Sequence, residues 1–74
     1  MTLTWNRTEG PPPLWTAIDD ATGTKVADIE DGTWQWTAYH PAGWTSSRGN
    51  SLDDAKVRVG NFLLMGPNWK ADAP

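Results

Sequence analysis

The clearest pattern of apolar and polar positions runs from Asn50 to Gly66. Apolar residues recur there at intervals of three and four, which places them on one side of an α-helix. These residues are Leu52, Ala55, Val59, Phe62 and Leu63. Ser51 followed by Asp54 is a capping signal, and Gly66 before Pro67 is a stop signal. The pattern therefore predicts a helix over residues 51–65.

The sequence before residue 50 shows the alternation and the turn residues of β-strands instead. The predicted strands are residues 1–7, 14–19, 25–30 and 33–40, and residues 44–48 are a candidate for a last short strand. Gly23 and the pair Asp31–Gly32 mark turns between them. The face of strand 33–40 that is predicted to meet the helix carries Trp34, Trp36, Ala38 and His40.

A proline-rich segment, Thr8–Pro13, separates the first strand from the others. Its consecutive prolines donate no backbone hydrogen bonds and prefer an extended conformation. We interpret it as a stiff linker that carries the chain from one edge of the sheet to another. The alternative is a proline-rich ligand for an aromatic groove on another protein.

Together these elements predict a single α+β domain over residues 1–74, with a three- to four-stranded antiparallel sheet packed by one C-terminal helix. Residues 1–13 form an N-terminal strand and linker, residues 14–48 a β-meander, residues 51–65 the helix and residues 67–74 a tail. The chain is small for a stable core, but it has six tryptophans, and large aromatic side chains add apolar volume.

Composition and charge restrict the possible functions. There is no cysteine, which excludes disulfides and thiolate metal sites. The net charge of −3 gives no general attraction for nucleic acid. No apolar run suggests a secretory signal or a membrane span, so we expect a protein of the cytoplasm of a bacterial host.

Two stretches carry a resemblance to known families. The strand Trp34–Tyr39, then Gly49 and the helix start Ser51–Lys56, resemble the β-β-β-α modules of AP2-type DNA-binding domains and HicB-like antitoxins. The small, tryptophan-rich, cysteine-free chain also resembles uncharacterised small proteins of actinobacterial phages. The resemblance implies a sheet strand that leads through a glycine turn into a capped helix.

The chain departs from the DNA-binding members of these families in its charges. Residues 14–48 offer only Lys25 and Arg48 as cations. The carboxylates of the same segment, which would repel phosphate, are Asp19, Asp20, Asp28, Glu30 and Asp31. We therefore carry over the fold and not the DNA binding.

Candidate catalytic and metal sites are weak. His40 is the only histidine, and no nucleophile-elbow sequence surrounds the serines. Asp28, Glu30 and Asp31 lie at a hairpin end, but they lack the loop spacing that wraps calcium. We predict no enzyme activity, no cofactor and no metal.

The tryptophans outside the predicted core are candidate contacts for a partner, because tryptophan is enriched at binding hot spots. They are Trp5, Trp15, Trp44 and Trp69. A second stripe on the helix, Val57, Gly60 and Leu64, predicts self-association, with another backbone close to Gly60 to offset the cost of a helical glycine.

The sequence thus predicts a non-catalytic binding protein, a small phage-type accessory factor that binds a host or phage protein through exposed tryptophans and an acidic surface. A homodimer is compatible with this prediction. Two alternatives stay open, a nucleic-acid-binding module on an AP2-like fold and a binder of nucleotides stacked on tryptophan.

Overall fold

The computed structural model of the protein describes residues 2–69. Its strands are β1 (Leu3–Thr8), β2 (Leu14–Asp19), β3 (Thr24–Glu30), β4 (Gln35–His40) and β5 (Gly43–Arg48). They are followed by the helix α1 (Leu52–Met65) and a 3-10 turn at Gly66–Asn68. The α+β class and the C-terminal helix are confirmed, but the sheet has five strands and not three to four. The C-terminal part of the predicted tail, residues 70–74, lies outside the described residues, as does Met1.

The sheet is a simple antiparallel meander in the order β1-β2-β3-β4-β5. The proline-rich segment joins neighbouring strands, so the prediction that it crosses from one edge of the sheet to another is wrong. Leu3 pairs with Asp19 and Thr8 with Leu14, so β1 and β2 form a hairpin around the prolines. The prolines have no backbone N–H to donate, but a hairpin loop needs few such donors. The hydrogen bonds of the hairpin are made instead by the residues of β1 and β2 on either side of the loop.

The prediction that the fourth strand begins at Thr33 and includes Trp34 is also wrong. Trp34 has φ 61°, in the left-handed region, and lies in the loop before β4. Its N–H donates to the Glu30 carbonyl at 2.9 Å, and its carbonyl accepts from the Gly49 N–H at 2.9 Å. The connection from β3 therefore uses residues 31–34 rather than the two-residue turn that Asp31–Gly32 suggested. The Trp34 side chain is half-buried against the core.

One face of the sheet packs against α1 and forms the core. Its fully buried residues are Ala17, Ala27, Ile29, Trp36 and Ala38 from the sheet, with Ala55, Val59, Phe62 and Leu63 from the helix. The register places Ala17, Ala27 and Ala38 in one row across neighbouring strands. Small side chains in this row leave room for the larger side chains of the helix.

The helix begins and ends where the sequence predicts. Ser51 Oγ accepts from the Asp54 N–H at 3.1 Å, and the Asp54 carboxylate accepts from the Asn50 N–H at 2.8 Å, which is a variant of the capping box. Gly66 ends the helix with φ 63°. This helix is neither long enough nor apolar enough to cross a membrane, and no other helix among residues 2–69 is.

Candidate functional site

The most exposed aromatic side chains of the described chain lie together on the β4–β5 hairpin. Tyr39 pairs with Trp44 across the two strands, directly before the turn at Pro41–Ala42. Tyr39 is 46% exposed and Trp44 is 68% exposed, whereas Trp36 on the other face of β4 is fully buried. Alternation along β4 therefore aims Tyr39 away from α1, to the outer face of the sheet.

The turn that carries this pair is held by hydrogen bonds and by a glycine. His40 Nδ1 accepts from the Ala42 N–H at 3.0 Å, so the neutral ring keeps its proton on Nε2. Gly43 has φ 141°, a conformation that other residues rarely adopt. His40 stacks edge-on against Phe62, with ring centroids 6.1 Å apart. The histidine thus anchors the hairpin to the helix.

The rest of the outer face of β4 and β5 is polar. Thr37 Oγ1 and Ser46 Oγ share a hydrogen bond of 2.7 Å next to the aromatic pair. Gln35 and Arg48 form the following pair along the strands. Because α1 packs on the opposite face, no helix of the described chain covers these residues. We name the surface formed by Tyr39, Trp44, Thr37, Ser46 and Arg48 the hairpin surface.

Two of the predicted partner-binding tryptophans, Trp5 and Trp15, lie on the inner face of the sheet beside the helix. Both are half-buried against the core. Lys56 Nζ lies 5.4 Å from the ring centroid of Trp5 and 5.1 Å from that of Trp15, which is within cation–π range. Trp15 Nε1 is buried and has no hydrogen-bond partner. Both indoles therefore extend the apolar core on the inner face of the sheet, beside the helix.

Trp69 packs under the C-terminal end of α1. Its ring lies edge-on to Trp36 at 5.3 Å and to Phe62 at 6.4 Å between centroids. Such T-shaped pairs add about 0.5–1.5 kcal/mol to the burial of the rings. Trp69 is thus a core-flanking residue, and of the four predicted contact tryptophans only Trp44 is mainly exposed.

The helix flank predicted for self-association is exposed. Val57 is 61% and Leu64 is 76% exposed. A shallow groove of about 290 Å³ runs beside it, lined by Leu3, Gly60, Leu63 and Leu64. Outside the helix's own backbone around Gly60, no atom of the described chain lies within 4 Å of where a Cβ of Gly60 would be, so no neighbouring strand requires this glycine.

The charged groups near the predicted acidic edge are mostly paired with each other. Arg7 binds Glu9 at 2.8 Å and Asp31 at 3.1 Å, and Lys25 binds Asp28 at 3.0 Å. No cluster of three metal-binding side chains occurs in the part of the chain that the structure describes. Glu30 accepts from the Thr33 hydroxyl at 2.9 Å, so each of the three carboxylates Asp28, Glu30 and Asp31 bonds to a neighbouring side chain.

The Asp54 carboxylate has the one clear pKa shift among the described residues. The Asn50 N–H and the Arg58 guanidinium, which donates from Nε at 2.8 Å, lower the pKa of Asp54 below its ordinary value of 3.8. Asp54 lies in the first turn of α1, where a carboxylate also interacts favourably with the positive end of the helix dipole. The shift thus arises from the hydrogen bonds that cap the start of the helix and from the ion pair with Arg58.

The sequence pattern assigned Trp36, Ala38 and His40 to the face that meets the helix, but Tyr39 of the other face was not included among the contact residues. The signal was present, because Tyr39 alternates with buried Trp36 and Ala38, and the Pro41–Gly43 turn places Trp44 beside it. Comparisons of this chain with protein-family models, with curated proteins and with solved structures found no match.

Proposed function

We propose that this chain is a non-catalytic binding protein that recognises another protein through the hairpin surface, with Trp44 as the anchor. The observation that carries the proposal is the side-by-side exposure of Tyr39 and Trp44 on a sheet face that no helix covers. Exposed aromatic area is unfavourable in water, and tryptophan and tyrosine lose few rotamers when they bind.

The surroundings of the pair also favour a protein partner. Thr37 and Ser46 place hydroxyls beside the rings along the strands, and Arg48 places a guanidinium one pair further on the same face. Binding surfaces of proteins commonly have an aromatic centre and a polar rim in this way. Arg48 adds a cation that makes no ion pair with any of residues 2–69, so it is available to a carboxylate of the partner.

Nucleic-acid binding has less support. The other cations of the described chain are engaged: Arg7, Lys25 and Arg58 bind carboxylates, and Lys56 stacks on Trp5 and Trp15. A phosphate backbone would therefore meet no basic stripe. A nucleotide held between indoles has less support too, because Lys56 occupies the site between Trp5 and Trp15. The phage-type accessory role, the cytoplasmic setting and the AP2-type or HicB-like resemblance stay predictions.

Affinity capture with matched variants tests the proposal. Biotinylated wild type, Trp44→Ser and Leu64→Ser are exposed to lysate of a bacterial host. Leu64 is the control, because it is as exposed as Trp44 but lies on the helix, at the opposite face of the sheet. We expect one protein to be retained by wild type and Leu64→Ser and reduced at least about tenfold by Trp44→Ser, since hot-spot truncations cost about 2 kcal/mol or more.

Other outcomes contradict the proposal. Equal retention by all three proteins would remove Trp44 from the contact, and no specific retention would remove the binding function. Salt-sensitive binding of random DNA that depends on Trp44 would favour the nucleic-acid alternative instead. A decrease of tryptophan fluorescence on addition of nucleotides, absent in Trp44→Ser, would favour the small-ligand alternative.

A further inference from the structure

The strand β5 forms one edge of the sheet, and the 3-10 turn Gly66–Asn68 packs beside this strand. The Gly49 N–H donates to the Trp34 carbonyl, so these two residues form a hydrogen-bonded pair. The register of β4 and β5 runs from this pair to the pair His40–Gly43 at the turn. Hydrogen-bonded pairs alternate in an antiparallel ladder, so every second residue of β5 turns its N–H and carbonyl away from β4. The residues with backbone groups turned outward are Trp44, Ser46 and Arg48. β5 is the last strand of the sheet in the described part of the chain, so no further strand pairs with these backbone groups.

β5 carries one of the features that prevent pairing at natural edge strands, the charge of Arg48 at its end, and has no proline or bulge. Natural edge strands carry prolines, bulges or charges that prevent addition of another strand. The segment from Gly43 to Ser47 has no proline and no charge, and its register with β4 is regular. The opposite edge, β1, differs, because its Arg7 forms ion pairs with Glu9 and Asp31.

We propose that β5 pairs antiparallel with β5 of a second copy of this chain, with the two-fold axis at Ser46. Ser46 would then face Ser46 of the second copy, and Trp44 would face Arg48 of the second copy. Each of these pairs exchanges hydrogen bonds through the outward backbone groups. The result is one sheet that continues through both copies.

Charge selects this register. Directly opposite residues of an antiparallel pair lie about 4.5–5.5 Å apart, so Arg48 of one copy reaches the face of the Trp44 indole of the other, a favourable cation–π contact. A two-fold axis at Arg48 would place two guanidinium groups against each other. An axis nearer Trp44 would leave Arg48 without an opposite residue. Only pairing about Ser46 uses all the outward backbone groups without opposing like charges.

This inference goes beyond the proposed function, because edge pairing needs no other protein. The outer faces of the two copies would lie side by side, so that two pairs of Tyr39 and Trp44 share one surface. A partner with two matching sites would then bind more tightly than to one copy. If the pairing fails, recognition through Trp44 can still be measured on the monomer, so the two failures are distinguishable.

Sedimentation velocity at up to about 0.5 mM tests the pairing, since interfaces below about 1,200 Å² are weak. Wild type is compared with Ser46→Pro and Ser46→Ala. Both variants lose the hydroxyl that contacts Thr37, but only proline removes the outward N–H, which an edge strand tolerates. We expect a concentration-dependent dimer for wild type and Ser46→Ala, and a dissociation constant at least about tenfold weaker for Ser46→Pro.

Amide hydrogen exchange of the wild type gives a second test that does not depend on the folding of a variant. Exchange at Ser46 should slow at least about tenfold between about 20 µM and 0.5 mM, as expected when a free N–H gains a partner. The Trp5 amide, which points outward at the β1 edge, should not change. A monomeric wild type with unchanged Ser46 exchange overturns the proposal. A dimer that persists in Ser46→Pro also overturns the proposal. If that dimer is lost in Leu64→Glu, the contact between the copies is assigned to the helix flank instead.

Discussion

Replacing Gly49 with alanine is expected to destabilise the fold strongly, because this glycine lies where the end of β5 meets the start of the helix. A methyl group at Gly49 would lie 2.7 Å from the backbone nitrogen, 2.8 Å from Cα and 2.9 Å from Cβ of Ala55. All three distances are shorter than real Cβ contacts, and two of the atoms belong to the helix backbone. Relief of the clash requires movement of the helix start away from the sheet.

Such movement has two consequences that set the magnitude. It lengthens the Gly49 N–H bond to the Trp34 carbonyl, now 2.9 Å, and it separates buried Ala55 from the core. Overpacking of a core costs about 1–3 kcal/mol, and a lost buried hydrogen bond about 1 kcal/mol more. We therefore expect a loss of about 3 kcal/mol, equivalent to a decrease in Tm of about 12–24 °C for a domain of this size.

Gly60→Ala is the matched control, since it adds the same methyl group within the helix. Apart from the backbone of the helix around Gly60, no atom of residues 2–69 lies within 4 Å of the position of the new Cβ. Alanine is favoured over glycine in helices by about 0.5–1 kcal/mol, so this variant should be more stable than the wild type. The two glycine substitutions are thus expected to change stability in opposite directions.

Urea denaturation followed by tryptophan fluorescence and by far-ultraviolet circular dichroism measures both variants. Experiments at low protein concentration separate folding from self-association. A Gly49→Ala protein within about 0.5 kcal/mol of wild type would refute the reasoning, because it would show that the helix start does not press on the β5 end.

Three further substitutions have defined outcomes. Phe62→Ala removes a buried ring that contacts Trp36 and His40, and it should cost about 3–5 kcal/mol in the free energy of unfolding, measured by urea denaturation. Asp54→Asn should be less stable than wild type at neutral pH. Because the folded-state pKa of Asp54 is lowered, the stability that its carboxylate contributes is present above the ordinary pKa of 3.8. This stability is lost as the pH falls through the folded-state pKa, so the unfolding curves of Asp54→Asn and wild type should converge in acid. Trp44→Phe should remove the fluorescence most accessible to acrylamide while stability changes by less than about 0.5 kcal/mol, and unchanged quenching would contradict the exposure of Trp44.

Local signals in the sequence were sufficient to predict the helix and the α+β class of the fold. Ser51, Asp54 and Gly66 act over one or two turns, and the structure shows their hydrogen bonds and the positive φ. The alternation of β4 likewise placed Trp36 inside and Tyr39 outside. These features depend on residues close in sequence, which is why they could be predicted.

The errors concern contacts that depend on the whole fold. Nothing local shows whether a proline-rich loop returns to the neighbouring strand. The five strand segments were all proposed from the sequence, but the pairing of β1 with β2 and the union of all five strands in one sheet were not predicted. Trp34 has the residue type of a strand, but closure of the loop to Glu30 and Gly49 places it in the left-handed region. The exposure of Trp5 and Trp15 also could not be predicted from their neighbours in sequence, because Lys56 of the helix lies over both rings.

The nearest-neighbour order of the strands has a consequence for the speed of folding. Each strand pairs with the one that precedes it, so the sheet can grow hairpin by hairpin without closing a long loop. The helix packs mainly on β4 and also on β3, and β4 is separated from it only by β5 and two short loops. Domains whose contacts are this local reach the native state sooner than barrels and sandwiches with distant pairings, so the chain should refold within milliseconds.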